Sequence, residues 1–491
     1  MRLPRGGYTG LLGPWLVASP ELTGRNARGG RCRLQQPVVE SSSLKRWVIG
    51  LLLGSAFCVA RAWAEDAPDP WRLDQFLHAP QGFSLSGQFR IRYETLDGQF
   101  RSGFNGGDQL LALRTNLLAT LRINSVIIAA EGMDARAELA DSGTPLSTSV
   151  VNPLDLLQAW IDVPVGHESR LRVGRLTMDV GSRRLVARNR FRNTINAFTG
   201  ADWTWDRPSG DQLRAFFTFP VERRVCGSPI DNRPKMDVER GEVRFWGLYY
   251  ARSSMPWGAQ GEIYLLGLHE ADSRELATRN RRLYTPGFRF YRNPQARRLD
   301  FQIESIFQFG TSRASTSTLE DLDHLAHFQH AEVGYSWEVP WQPRLLLQYD
   351  YASGDEDPTD GEDNRFDTLF GARRFDFGPT GIYGPFARSN LSTPGIRLFL
   401  KPTSRLAAMS CLRGFWLAST GDSWTTARIS NPPGVHHGHI GTQIEARLQW
   451  AALPGNVRLE LGGAHLFRGA LMESAGKGDS DYFYLQTMFS F

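Results

Sequence analysis

The side chains best placed to do chemistry are Arg90, Arg92 and Glu94, which sit two residues apart and are interleaved with Phe89, Ile91 and Tyr93. The spacing recurs at Arg114, Asn116, Thr120 and Arg122, and Asp134 and Arg136 repeat it again. A guanidinium is planar, always charged and carries five donors in a fixed fork, so it grips carboxylates bidentately. Arginines repeated on one face therefore make a surface that attracts acidic solutes, and Glu94, Asp134, Asp300 and Glu304 would keep the binding weak enough for release. The same residues serve equally well as arginine–carboxylate struts that stiffen the structure. The densest basic run holds Arg172, Arg175, Arg183, Arg184 and Arg188, either lining a constriction, binding lipid phosphates or forming a solvated loop.

Other reactive groupings are weaker. Asp355, Asp357, Asp360 and Glu362 cluster in a loop and could offer oxygens to Ca²⁺, without the spacing of an EF-hand. His436, His437 and His439 lack a matched fourth ligand for zinc. Gly421-Asp422-Ser423 resembles an esterase block, but its downstream D-x-x-H partner is absent, as are G-x-S-x-G, H-E-x-x-H and a P-loop. The expectation is a protein that is not an enzyme and needs no cofactor.

The elements that carry these residues follow from period two. Phe83, Leu85, Gly87, Phe89, Ile91 and Tyr93 alternate with Ser84, Ser86, Gln88, Arg90, Arg92 and Glu94, one apolar face against one charged face. Similar alternation appears at 111–123 and 299–309, and around 242–250, 331–339, 344–352, 394–400, 442–450 and 457–467. These runs approach the 9–11 residues a tilted strand needs to cross a bilayer. Long polar loops separate some of them, at Gly98–Gly107, Ser142–Pro153, Val225–Asp237 and Gly354–Gly381. The expected fold is all-β, a transmembrane antiparallel β-barrel. About 410 residues at roughly 23 per strand and loop give 16–18 strands. The final run places Phe483, Leu485, Thr487, Phe489 and Phe491 on one face, a terminal strand of the kind barrel-assembly machinery recognises.

The start of the chain reads as an export leader. Lys45 and Arg46 precede the apolar run 47–60, and Ala62-Trp63-Ala64 forms a cleavage signature, so 45–64 is expected to be a signal peptide and 1–44 a disordered start-site extension. Residues 65–82 would be a periplasmic segment and 83–491 the barrel. The leader region 1–64 holds nine Lys+Arg against two Asp+Glu, leaving 47 basic and 49 acidic residues in the rest, a net of −2. Nucleic acid is thereby excluded as a partner suggested by charge. Only Lys235, Lys401 and Lys477 remain as lysines, so arginine carries nearly all the positive charge. Cys226 and Cys411 make no disulfide framework and are expected to stay unpaired.

From about residue 83 onward the chain resembles the alginate-export family of bacterial outer-membrane barrels. The resemblance rests on the opening strand with Arg90, Arg92, Tyr93 and Glu94, on Arg114-Thr115-Asn116-Leu117, and on Leu171-Arg172-Val173-Gly174-Arg175 followed by Gly181-Ser182-Arg183-Arg184-Leu185-Val186. Asn193, Phe198, Tyr351-Ala352-Ser353-Gly354-Asp355, Gly441-Thr442-Gln443-Ile444-Glu445 and Phe467-Arg468-Gly469 continue it. Leu176 stands where members commonly carry glutamine, and Asn116 where they carry arginine. The resemblance implies an outer-membrane channel for polar or anionic solutes, such as an acidic polysaccharide like alginate, in contact with membrane lipid and lipopolysaccharide. A non-specific or nutrient-uptake porin and a structural barrel without transport fit the same pattern. The expected pore-lining set is Arg90, Arg92, Glu94, Arg114, Arg122, Asp134, Arg136, Arg172, Arg175, Arg183 and Arg184.

Overall fold

Alternation of apolar and polar residues closes one sheet on itself. The computed structural model describes residues 69–141 and 143–491. The expected start-site extension, the signal peptide and residues 65–68 lie outside the described residues. The first half contains β1 (Phe83–Asp97), β2 (Asp108–Ile123), β3 (Val126–Glu138), β4 (Asn152–Pro164), β5 (Ser169–Leu176), β6 (Phe198–Asp206), β7 (Gln212–Glu222), β8 (Val238–Glu239), β9 (Arg244–Met255) and β10 (Ala259–His269). The second contains β11 (Arg282–Arg292), β12 (Leu299–Ser312), β13 (Leu322–Ser336), β14 (Arg344–Ala352), β15 (Glu362–Asp363), β16 (Leu391–Leu400), β17 (Leu406–Trp416), β18 (His439–Leu453), β19 (Val457–Arg468) and β20 (Ser480–Ser490). Strands β8 and β15 have two residues each; the other eighteen form an antiparallel barrel.

Closure is made by β20, which pairs with β1 so that Phe89 faces Phe489 and Tyr93 faces Leu485. Gly87 and Phe491 extend the seam by exchanging backbone hydrogen bonds of 2.7 and 3.0 Å. A closed sheet leaves no unpaired edge, which is the condition for a sheet to cross hydrocarbon. No helix among the described residues is long and apolar enough to do so.

The two faces are inverted relative to a soluble sheet. Leu117, Leu121, Ile128, Ile161, Val173, Leu248, Ile263, Phe288, Leu485 and Phe489 are exposed on the outside, while Arg90, Arg92, Glu94, Arg114, Asn116 and Glu131 are buried within. Apolar residues turned outward to lipid and polar residues turned inward are the arrangement of a membrane barrel. Turns of two to seven residues connect strands at one end, for example 124–125, 165–168 and 256–258. Exposed Trp257, Trp337 and Trp341 ring that end, as an aromatic girdle would. Loops at the other end are longer, reaching 177–197, 223–243, 353–390 and 417–438. By the rule for such barrels this is the extracellular end. Below the barrel a helical turn, Leu73–Phe76, follows Trp71, whose N–H donates to Asn456 Oδ1 at 2.8 Å and whose ring lies 5.9 Å from Phe491.

Two long loops fold inward instead of outward. Leu185 and Val186 of loop 177–197 pack with Phe377, Ile382, Tyr383 and Phe386 of loop 353–390 in a buried apolar cluster. The two backbones also meet directly: the Phe370 N–H donates to the Leu185 carbonyl at 2.9 Å, and the Ala372 N–H to the Arg183 carbonyl at 3.0 Å. Gly371 permits this approach, since a Cβ there would lie 1.7 Å from the Arg184 carbonyl oxygen.

Candidate functional site in the barrel lumen

Arg90 and Arg92 of β1 and Arg114 of β2 face inward, but they hold a loop and do not line open space. Arg90 donates to the carbonyls of Arg190, Phe191 and Arg192 at 3.0–3.1 Å and to Asn193 Oδ1 at 2.9 Å. Arg114 reaches the Arg190 and Arg192 carbonyls at 3.1 and 3.0 Å. Arg92 donates to the Phe191 carbonyl and to Glu94 Oε1, at 2.6 and 2.7 Å, and lies over the Phe191 ring. Glu94 in turn accepts the Ile382 N–H at 3.1 Å and the Tyr482 hydroxyl at 2.9 Å, which ties loop 353–390 to the same wall. Asn193 completes the clamp by donating to the carbonyls of Leu113, Arg136 and Val150.

Replacing Arg90 with alanine leaves the carbonyls of Arg190, Phe191 and Arg192 with Arg92 and Arg114 as donors but strips Asn193 Oδ1 of its donor, at about 1–3 kcal/mol for a buried acceptor left unsatisfied. The expected result is at least tenfold faster hydrogen exchange in residues 188–193 of a barrel that still migrates as folded on a heat-modifiability gel. Unaltered exchange there would show that Arg90 does not hold the loop.

The other expected lining residues divide. Arg172 faces the lumen near the short-turn end, pairs with Asp162 at 2.9 Å and lies over the Trp160 ring. Arg122 is exposed opposite Ile127 at the same end. Arg183 is exposed on the inward loop over the Phe375 ring, whereas Arg184 is buried between Glu304 and Asp376, at 2.7 and 3.0 Å. Asp134 and Arg136 require a correction. They sit opposite Thr115 and Leu113 on the outward face and pair with each other at 2.9 Å. Arg175 is also outward, opposite Ala159, and is taken up by Asp155 and Glu239 at 3.4 and 2.7 Å. The physical reason is register: a shift of one residue exchanges every face, and β3 carries alanine on both faces (Ala129, Ala130, Ala135), so its sequence does not declare which is inside.

Open space lies elsewhere, in chambers on either side of the inward loops. Toward the short-turn end a cavity of about 310 Å³ is lined by Arg183, Arg184, Arg289, Arg344, Arg374, Arg397 and Arg447 against Glu332, Asp376 and Glu445. It shares Arg344, Phe399, Met409 and Arg447 with a mouth of about 500 Å³. Toward the long-loop end a cavity of about 380 Å³ is lined by Arg192, Arg223, Arg373 and Arg388 with Asn189, Asn193 and Asn196, and no carboxylate is among its described lining residues. Burial, with Arg223 and Arg373 close by, pushes the Arg192 guanidinium down to about 9. Burial and Arg388 push Arg373 down to about 10. Both groups stay charged at neutral pH, so the shifts mark positive charge that lacks a counter-ion.

Asp376 stands between the chambers. Its carboxylate accepts Arg184 Nε and Nη2, both at 3.0 Å, and Arg388 Nη2, while Arg397 and Arg413 donate to its backbone carbonyl. Burial alone would raise its pKa, yet Arg184 and Arg388 hold it well below the carboxylate range. Sequence reading missed Asp376, Arg388 and Arg413. The available signal was the run Phe366, Leu369, Phe370, Phe375 and Phe377 in a segment read as a polar loop, since so many aromatic residues in a loop call for burial.

His330, Asp350 and Asp376 are the described side chains whose ligand atoms come within 4.8 Å of one another. Guanidiniums already fill that space: Arg184 meets His330 Nε2 at 2.9 Å and Arg413 meets Asp350, so the cluster is an ion-pair network with no room for a metal. The calcium candidates are not brought together. Asp355 is buried, Asp357 caps Thr359, Asp360 caps Glu362, and the Glu362 side chain is turned to Asn364. Asp422 of the esterase-like block is held by Arg365. Cys226 is exposed and Cys411 buried, both as free thiols.

By sequence alone the chain matches no curated protein. Among solved structures it is similar to OccK3 (OpdO) of Pseudomonas aeruginosa, at 14% identity over 83% of this chain and 95% of that one, with a TM-score of 0.52. OccK8 (OprE) of the same organism gives 12% identity, 83% and 98% coverage and a TM-score of 0.54. A BenF-like porin of Pseudomonas fluorescens Pf-5 gives 10% identity, 83% and 99% coverage and a TM-score of 0.53. These likenesses are of fold: the chain shares the closed antiparallel barrel of these porins. The family model for alginate export matches residues 81–486, nearly the whole described barrel, and the chain therefore belongs to the alginate export family of bacterial outer-membrane proteins.

Proposed function

We propose that this barrel passes anionic, carboxylate-bearing solutes, in particular an acidic polysaccharide such as alginate, through an arginine-lined path, and that it does so without catalysis. The observation that carries the reading is the imbalance of charge in the two chambers. Arg184, Arg289, Arg344, Arg374 and Arg388 are paired with carboxylates, whereas no ion pair among the described residues engages Arg183, Arg397 and Arg447 on the short-turn side or Arg192, Arg223 and Arg373 on the long-loop side. A water-filled channel selects by charged rings and by diameter. A polyuronate carries one carboxylate per sugar, so successive arginines can exchange it along the path with no single tight site. The outward apolar face meets membrane lipid and lipopolysaccharide, and the closing strand β20, with Phe483, Leu485 and Phe489 outward and Phe491 at its end, serves as the assembly signal for the barrel machinery.

The test is the reversal potential of the purified barrel in a planar bilayer under a tenfold salt gradient. Anion selectivity supports the reading. Cation selectivity in a folded barrel would return the protein to a non-specific porin, and silence would leave a structural barrel without transport.

A further inference from the structure

On the outer face of the barrel, three basic side chains stand side by side across three neighbouring strands. Register places Arg244 of β9 opposite His269 of β10, and His269 opposite Arg282 of β11. All three share the outward face, because Phe245, Leu268 and Leu283, their neighbours in sequence, are buried inside. Arg244 and Arg282 are exposed. Neighbouring strands lie about 4.8 Å apart, so the two arginine Cα atoms are about 10 Å apart, a span that two long side chains can close on one group from both sides.

The row lies at a boundary. Directly below it come Trp246 and Tyr284, whose rings are 6.3 Å apart, and then the exposed Leu248, Ile263 and Phe288 of the lipid-facing band. Directly above it begin the long loops. Charge at this level is only partly compensated: Arg244 donates to the Gly241 carbonyl, no ion pair among the described residues engages Arg244, His269 or Arg282, and Asp321 lies near enough to Arg282 to feel its charge. Of the acidic groups nearby, Asp323 stands in the same row two strands from Arg282, beyond Thr311, and two others are occupied. Asp321 is held by Arg313 and Asn280, and Asp272 by Arg313 and Thr278. The arrangement is not general to the rim, for at the barrel seam the same outward level carries Asp97 and Asp481 opposite each other, with His465 bonded to Asp481 at 2.7 Å.

We propose that Arg244, His269 and Arg282 form a binding site for the phosphate group of an outer-leaflet glycolipid, whose acyl chains lie along the apolar band of β9–β11. Guanidinium forks match phosphate oxygens bidentately, and Trp and Tyr beneath them suit the level where headgroup meets chain. The inference rests on the outer-membrane placement and on the long-loop end facing outward, and it is independent of what passes through the lumen.

The experiment is native mass spectrometry of the detergent-purified barrel with bisphosphorylated lipid A as probe. The wild type is expected to retain lipid A, to bind its dephosphorylated form at least tenfold more weakly, and to keep the lipid when inorganic phosphate is added. The double variant R244Q/R282Q should lose at least tenfold in affinity while keeping heat-modifiable mobility and its ion selectivity, since neither residue faces the lumen. If the double variant proves unfolded, the single variants Arg244→Gln and Arg282→Gln should each weaken binding several-fold. Equal binding of phosphorylated and dephosphorylated lipid A, or full retention by the folded variants, would overturn the site. A change of selectivity in the bilayer would not accompany that failure, so it is distinguishable from failure of the channel reading.

Discussion

Replacing Asp376 with asparagine is expected to raise the single-channel conductance at least twofold and to make the current flicker. The carboxylate is the shared acceptor of Arg184 and Arg388, and all three side chains are buried. Removing one partner from a buried ion pair costs about 3–5 kcal/mol, because the remaining charge stays in a site that no longer compensates it. Here Arg388 loses the carboxylate it pairs with and Arg184 keeps only Glu304, so water or bulk anions are the available replacement at Arg388. Loop 353–390 would not detach altogether. Arg397 and Arg413 bond to the backbone carbonyl of residue 376, which asparagine keeps, and the apolar packing of Phe377, Ile382 and Phe386 is untouched. The effect should therefore be a partition that opens intermittently within an intact barrel. Conductance identical to wild type in single-channel recordings would show that Asp376 does not hold the partition.

The second large effect is on ion selectivity. Arg192 and Arg373 line the long-loop chamber without a carboxylate opposite, and each is pushed down by burial and by neighbouring arginines. At an effective dielectric constant near 20, a unit charge about 8 Å from a passing anion contributes roughly 2 kcal/mol before screening. Removing both charges in R192Q/R373Q is expected to lower the anion-to-cation permeability ratio at least fivefold at 0.1 M salt. The effect should shrink at 1 M, where the Debye length falls to about 3 Å. A ratio equal to wild type at 0.1 M would place selectivity elsewhere. The contrast with Arg90, Arg92 and Arg114 is informative, since those guanidiniums are spent on loop carbonyls and their loss should register in loop exchange before it registers in selectivity.

What could be read from the sequence follows from how local each signal is. The alternation from Phe83 to Glu94 needs no partner to be seen, and β1 presents the faces it announces, with Arg90, Arg92 and Glu94 inside and Phe89 outside. The same holds for β2, where Leu117 and Leu121 are exposed and Arg114 is buried. In β3 alanines on both faces remove the contrast, and Asp134 and Arg136 turn out to lie outside. The inward fold of loops 177–197 and 353–390 was not legible from spacing at all. It depends on carbonyls of Arg190, Phe191 and Arg192 meeting arginines a hundred residues earlier, and on Gly371 allowing two backbones to touch. Contacts of that range leave no periodic trace. Their trace is composition: apolar residues such as Leu185, Val186, Phe370 and Phe386 within segments too irregular to be strands.

Engagement of an acidic chain by the lumen is the central expectation. The direct measurement is block of the wild-type single-channel current by a uronate oligosaccharide, compared with an uncharged oligosaccharide of the same length. Reversible block by the uronate, weakened by salt and much reduced in R192Q/R373Q, is the predicted result. Equal block by the two sugars, or none by the uronate in a barrel that conducts, would contradict it.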